Sequence, residues 1–125
     1  MQIIFGVQNK LQSYDPYLFY FYAFREACIE AELIVVSGYG FFDQHINDTL
    51  ISAFQLDKNK KLLVNVLEGS EEKEEKFRNN LIQKLGLSEQ SVIIQNIPAK
   101  DFFETKLNVD YFSSLFPEQS DNEPI

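Results

Sequence analysis

A single cysteine, Cys28, is all the thiol chemistry that this 125-residue chain carries. It permits no internal disulfide and no zinc site built from several thiolates. Its neighbours recur at helical apolar spacing, which makes it a buried, inert thiol. Positive charge is also scarce: 11 Lys and Arg stand against 19 Asp and Glu, for a formal net charge of −8. A sequence-independent grip on nucleic acid or on an anionic lipid surface needs clustered Lys and Arg, so the balance argues against both. It leaves open a single anionic ligand, because backbone N–H groups bind phosphate without side-chain charge. No apolar run approaches the roughly 18 residues of a membrane span. No basic region precedes an apolar stretch at the N-terminus, as a secretory signal would require. The expectation is a cytoplasmic protein with no membrane and no nucleic-acid partner.

Tryptophan is absent too, yet 12 Phe and 6 Tyr are present. Rings in that number demand burial, in a folded core or against a partner. The length fits one domain with a modest core. Along it the apolar period alternates between strand and helix. Met1 to Phe5 predicts a short strand, stopped by Gly6. Asp15 as cap and Pro16 at the first helical position open a helix whose apolar positions are Tyr17, Tyr20, Phe21, Phe24, Cys28 and Ala31. Leu33 to Ser37 reads as a strand apolar on both faces, as central parallel strands are. Ile46, Leu50, Ala53 and Phe54 recur at helical spacing, and residues 61–67 give a third strand. Ser70 caps a helix with Glu71, Glu72, Glu74 and Glu75 in its first turns, where the dipole favours negative charge. These acids read as a solvated face, not a metal site. Phe77, Leu81 and Leu85 form the inner stripe of that helix, and Gly86 suits the position just past its end. Residues 91–95 form a fourth strand, and "AKDFFETKL" with "YFSSLF" supplies C-terminal helix.

This order, β-α-β-α-β-α-β-α, predicts an α/β fold: a parallel sheet of about four strands with helices on both faces. Residues 1–116 form the domain and 117–125 a polar tail. In such sheets ligands sit outside the carboxyl ends of the strands. The turn "SGYGFFD", where a strand meets a helix, lies at one such end. By itself it fits a ligand holder and a plain chain reversal equally, since glycine serves any tight reversal.

"SGYGFFDQHIN" (37–47) resembles the signature of the sirtuin-like family: a strand ending in glycine, then Tyr, Ser or Gly, Phe, any residue, Asp, any residue, and His-Ile-Asn. Gly38, Tyr39, Gly40, Phe41, Asp43, His45, Ile46 and Asn47 carry the match. "IIFGVQNKL" (3–11) is similar to the segment that precedes this signature. "FREACIEAELIVVSG" fits the entry to it, and "NIPAKDFFETKL" is similar to an aromatic helix near the end of such domains. The likeness covers roughly residues 2–107. It implies a partial Rossmann-like, sirtuin-type domain that binds NAD, with Gly38, Tyr39 and Gly40 offering backbone N–H groups and close approach to the ribose-phosphate. The cofactor-binding set it implies is Gly38, Tyr39, Gly40, Phe41, Asp43, His45 and Asn65. Of these, Asp43 also suits the cap of the following helix. His45, two residues from Asp43 and from Asn47, faces neither and reads as a structural or supporting residue. Asn65 stands where an Ile-Asn pair touches the adenosine ribose, with Val in place of Ile.

The family's Gly-Ala-Gly-x-Ser phosphate loop and its catalytic Asn and His have no counterpart in these 125 residues. Val7 stands where true sirtuins place Glu, and no four-cysteine zinc module is present. Together these weigh against a protein deacylase fragment. They favour the sirtuin-related NAD hydrolases of bacterial anti-phage defence, which convert NAD to nicotinamide and ADP-ribose. The expectation is the C-terminal half of such a domain, with no catalytic residue of its own, inactive unless a complementary N-terminal half is supplied. The alternatives are a non-catalytic nucleotide-binding module or remnant, and a partner-binding module that pairs with that half or with itself.

Overall fold

The computed structural model of the chain describes residues 3–6 and 17–116. Asp15, Pro16, Val7 and the tail at 117–125 lie outside the described residues. Ten elements follow one another: β1 (Ile3–Gly6), α1 (Tyr17–Glu30), β2 (Leu33–Ser37), α2 (Gln44–Leu56), β3 (Lys61–Val66), α3 (Glu71–Leu85), a 3₁₀ turn (Glu89–Ser91), β4 (Val92–Asn96), α4 (Ala99–Thr105) and α5 (Val109–Ser114). The strands lie in the order β1-β2-β3-β4, and every neighbouring pair is parallel. β2, β3 and β4 make up the body of this open sheet, and the four-residue β1 lies beside β2 at its edge.

Sequential order has a consequence for the helices. Parallel crossovers are right-handed as a rule, so strands laid down one after another in the same direction are expected to place their connecting helices on one face. The buried residues follow this rule. Cys28 and Ala31, next to Leu50, Ala53 and Phe54 of α2 and Leu81 and Leu85 of α3, pack with Ile34, Val36, Leu62, Val64 and Val92. The other face of the sheet, with Leu33, Val35 and Leu63, is covered by Phe102 of α4 and Phe112 of α5. Both faces thus carry helices, three on one and two short ones on the other. β2 is buried at all five positions, because alternate side chains enter the two cores.

The caps set the helix ends. The Asp43 side chain accepts from Ile46 N at α2, and Ser70 accepts from Lys73 N at α3. Gly86 ends α3 in the left-handed region at φ 68°, where a Cβ would be strained. Glu71, Glu72 and Glu75 are exposed in the first turns of α3, as their polarity requires. The aromatic face of α1 is a partial correction: Phe21 and Phe24 are half-buried and Cys28 fully buried, but Tyr20 is 53% exposed. β3 stops at Val66, leaving Leu67 exposed. The fourth strand starts one residue later than predicted because Ser91 belongs to the 3₁₀ turn.

Lys60 is a residue that the apolar pattern does not reveal. It is 1% exposed, and its ammonium donates to the carbonyl of Ile29 at 3.1 Å and to that of Ala31. α1 has no basic residue in its last turn. Lys60, just before β3, therefore supplies the cation that the carbonyl end of α1 favours. Burial pulls its pKa down from 10.5, against the opposing pull of Asp57.

Burial pushes the Cys28 thiol up from 9.0 to about 12, against the lowering influence of the Lys60 charge. The folded state then holds a proton that the unfolded state releases. The stability this gives is complete below pH 9.0 and is lost as the pH rises toward 12. Urea unfolding at stepped alkaline pH, compared with Cys28→Ala, measures this directly. The advantage of the wild type is expected to shrink above pH 9 by a slope approaching about 1.4 kcal/mol per pH unit. A pH-independent difference overturns the assignment.

Candidate functional site

The turn from Gly38 to Asp43 joins the carboxyl end of β2 to α2, and two unusual backbone angles shape it. Gly38 has φ 79°, and Phe41, which carries a side chain, has φ 62°. A left-handed phenylalanine costs on the order of 1 kcal/mol or more, and the surroundings compensate. The Phe41 ring is 2% exposed, packed against Tyr39 with centroids 4.7 Å apart and against Phe77 at 6.4 Å. Burying a ring of that size contributes about 2–3 kcal/mol, more than the strain. The next residue, Phe42, is 88% exposed.

Hydrogen bonds lock the turn. The Tyr39 hydroxyl accepts the Asp43 N–H at 3.1 Å, and it has the Asp43 carbonyl and Asn47 Oδ1, both at 3.0 Å, as acceptors for its proton. Asn47, 3% exposed, donates through Nδ2 to the Phe41 carbonyl at 2.9 Å. The same carbonyl accepts from Lys84 Nζ of α3 at 2.9 Å. Burial raises the pKa of Tyr39, so its hydroxyl keeps its proton and its donor role well into the alkaline range.

The residues singled out from the sequence divide into three groups. Gly38, Tyr39, Gly40 and Phe41 form the turn itself. Gly40 has the Phe42 ring against its Cα: an added Cβ would come within 2.7 Å of that ring. Asp43 is the cap of α2, its carboxylate 3.1 Å from Ile46 N. It therefore fills the donor that an anion would otherwise take at that helix end, and repels a second negative charge there. His45 is exposed on the first turn of α2, with its ring edge-on to Phe21 of α1 at 6.2 Å and 80°. It pins α1 to α2.

Asn65 lies elsewhere. Register pairs it with Ser37 on one side and Gln95 on the other. By strand alternation it shares the α4–α5 face with Leu63, opposite the face on which Phe41 packs. Its Oδ1 accepts from Ser37 Oγ at 2.9 Å, and its Nδ2 donates to the carbonyls of Gln95 at 3.1 Å and Ile97 at 2.8 Å. Both amide hydrogens are committed. Asn65 thus ties three strand ends together at the carboxyl edge, within reach of a ligand only through its second oxygen lone pair.

Among the described residues no buried side-chain N or O lacks a partner. They hold no cluster of three or more His, Cys, Asp or Glu able to bind a metal. No helix among them is long and apolar enough to cross a membrane. Sequence reasoning did not anticipate Lys84, whose contact with the turn spans 43 residues, nor the locking role of Asn47. Asn47 stood inside the quoted motif, whereas nothing local to residue 84 marks it. No family model, no curated protein and no solved structure matches this chain.

Tyr39→Phe removes a hydroxyl that serves as donor and acceptor, and is expected to lower stability by about 1 kcal/mol. Asp43→Ala removes the cap at a similar cost of about 1 kcal/mol. The two changes act on the same first turn, so urea unfolding of the double variant should show a combined loss smaller than the sum. Strict additivity counts against a single locked unit.

Proposed function

We propose that this chain is the NAD-binding portion of a sirtuin-like NAD hydrolase, a partial Rossmann-like domain that does not cleave NAD by itself. The observation that carries this reading is the Gly38–Asn47 motif, sited between the carboxyl end of a central parallel strand and the start of a helix. That is the part of an open parallel sheet where nucleotides bind. NAD would supply the labile nicotinamide–ribose bond. The chain's own residues would hold and orient it: the turn from Gly38 by presenting its backbone to the ribose, and the Tyr39–Asp43–Asn47 lock by keeping that backbone rigid. The donor set suits neutral ribose hydroxyls beside α2 and disfavours a phosphate at that helix end, because Asp43 occupies it. No resident side chain is assigned as acid, base or nucleophile. Turnover to nicotinamide and ADP-ribose is assigned to a complementary N-terminal half.

Calorimetric titration of the chain with NAD and with ADP-ribose should give saturable binding. Gly40→Val should weaken it by about tenfold, equivalent to about 1.4 kcal/mol, because a side chain there collides with the Phe42 ring and displaces the turn. Chromatography should detect no nicotinamide release by the chain alone. Absence of heat and of any thermal shift with either ligand would falsify the reading.

One observation favours a second reading, a module that binds a protein partner without chemistry. β1 is at the edge of the sheet among the described residues, and its sequence, Ile-Ile-Phe-Gly, carries neither charge nor proline. Natural edge strands usually carry such protection against pairing. Phe42, Leu67 and Val109 add exposed apolar side chains. Light scattering at rising concentration should then show mass beyond 14.6 kDa. A clean monomer that binds no hydrophobic dye rules against self-pairing and leaves the nucleotide reading in place.

A further inference from the structure

The N-terminus of α2 is closed to an anion by Asp43, so a nucleotide at the 38–43 turn needs another group for its phosphates. We propose that Lys84 is that group, with the exposed Phe42 ring as the platform for the flat base beside it. This inference rests on the nucleotide-binding reading and names the contacts within that same site.

Four observations converge on the pair. Lys84 Nζ is anchored at the turn by one hydrogen bond, 2.9 Å to the Phe41 carbonyl, which leaves two of its three donors available. Among the described residues the one ion pair is Lys100–Glu104, so the Lys84 ammonium has no carboxylate within ion-pair distance in a chain of net charge −8. Its Nζ stands 5.5 Å from the centroid of the Phe42 ring, near enough for the ring and the cation to act on one ligand. Finally, Phe42 is 88% exposed where its neighbour Phe41 is 2% exposed. An aromatic ring exposed to solvent beside an ammonium with no carboxylate partner suits a ligand with a π-face at one end and phosphate oxygens at the other. A nucleoside diphosphate has both.

The experiment titrates the full chain with ADP-ribose and, separately, with adenosine, which carries the ring and ribose without phosphate. Lys84→Gln removes the charge and keeps a polar side chain. It should weaken ADP-ribose at least about tenfold while leaving adenosine unchanged, and Lys84→Arg should restore ADP-ribose binding. Phe42→Ala should weaken both ligands. Added salt should reduce the affinity for ADP-ribose in the wild type and not in Lys84→Gln. Unchanged ADP-ribose binding by Lys84→Gln overturns the proposal while the nucleotide reading stands. Equal loss of both ligands in that variant, with an unchanged melting temperature, assigns Lys84 to turn geometry and also overturns it. If the wild type binds neither ligand, the reading and the proposal fall together.

Discussion

The five residues of β2 are buried on both sides, and that double burial is the constraint on which the rest of the structure depends. Ile34 and Val36 enter the core beneath α1, α2 and α3, while Leu33 and Val35 enter the core beneath α4 and α5. A slip of one residue against β3 would exchange the two sets, moving every side chain to the opposite core. Register is therefore fixed on both neighbours. Fixed register brings Ser37 opposite Asn65, and Asn65 opposite Gln95. The hydrogen bonds at the carboxyl edge are a downstream result of apolar packing along the strands.

That edge is more rigid than a loop joining strand to helix would suggest. The left-handed Phe41 is held because its ring is buried and its carbonyl receives both Asn47 and Lys84. Tyr39 spans the turn and meets the backbone of Asp43. Rigidity of this kind is what a binding surface needs, since a preorganised site loses less conformational entropy when a ligand arrives. The polar groups of the turn are nonetheless mostly spent on one another, so the proposed ligand contacts fall on backbone, the Phe42 face and the spare donors of Lys84. The sequential strand order matters here too. In doubly wound folds the crevice opens where strand order reverses, and β1 to β4 run in one direction without a reversal.

Charge patterning completes the picture of how the helices are held. α3 carries acids in its first turn and Lys84 in its last, in keeping with its dipole. α1 has neither, and the cation for its carbonyl end comes instead from Lys60, 29 residues beyond Ala31. The buried ammonium donates to two backbone carbonyls, and next to it burial holds the Cys28 thiol protonated. Here one cation serves a helix end and the interior at once.

By itself the sequence determined what depends on neighbours along the chain. The period of apolar residues gave β2 and the inner faces of α2 and α3; Asp43, Ser70 and Gly86 marked helix ends because capping is a contact of three or four residues. The turn at 38–43 was legible as well, since glycine spacing and a following cap are local signals. Tertiary structure alone decided what those residues meet. Placement of three helices on one face follows from the order of strands, which no local pattern records. Asn65 was visible as a polar residue in a strand, but its commitment to Ser37, Gln95 and Ile97 required the register of three strands. Lys60 and Lys84 read as surface charges in sequence. They became a helix cap and a turn anchor only when packing brought carbonyls from distant segments within reach of their long side chains.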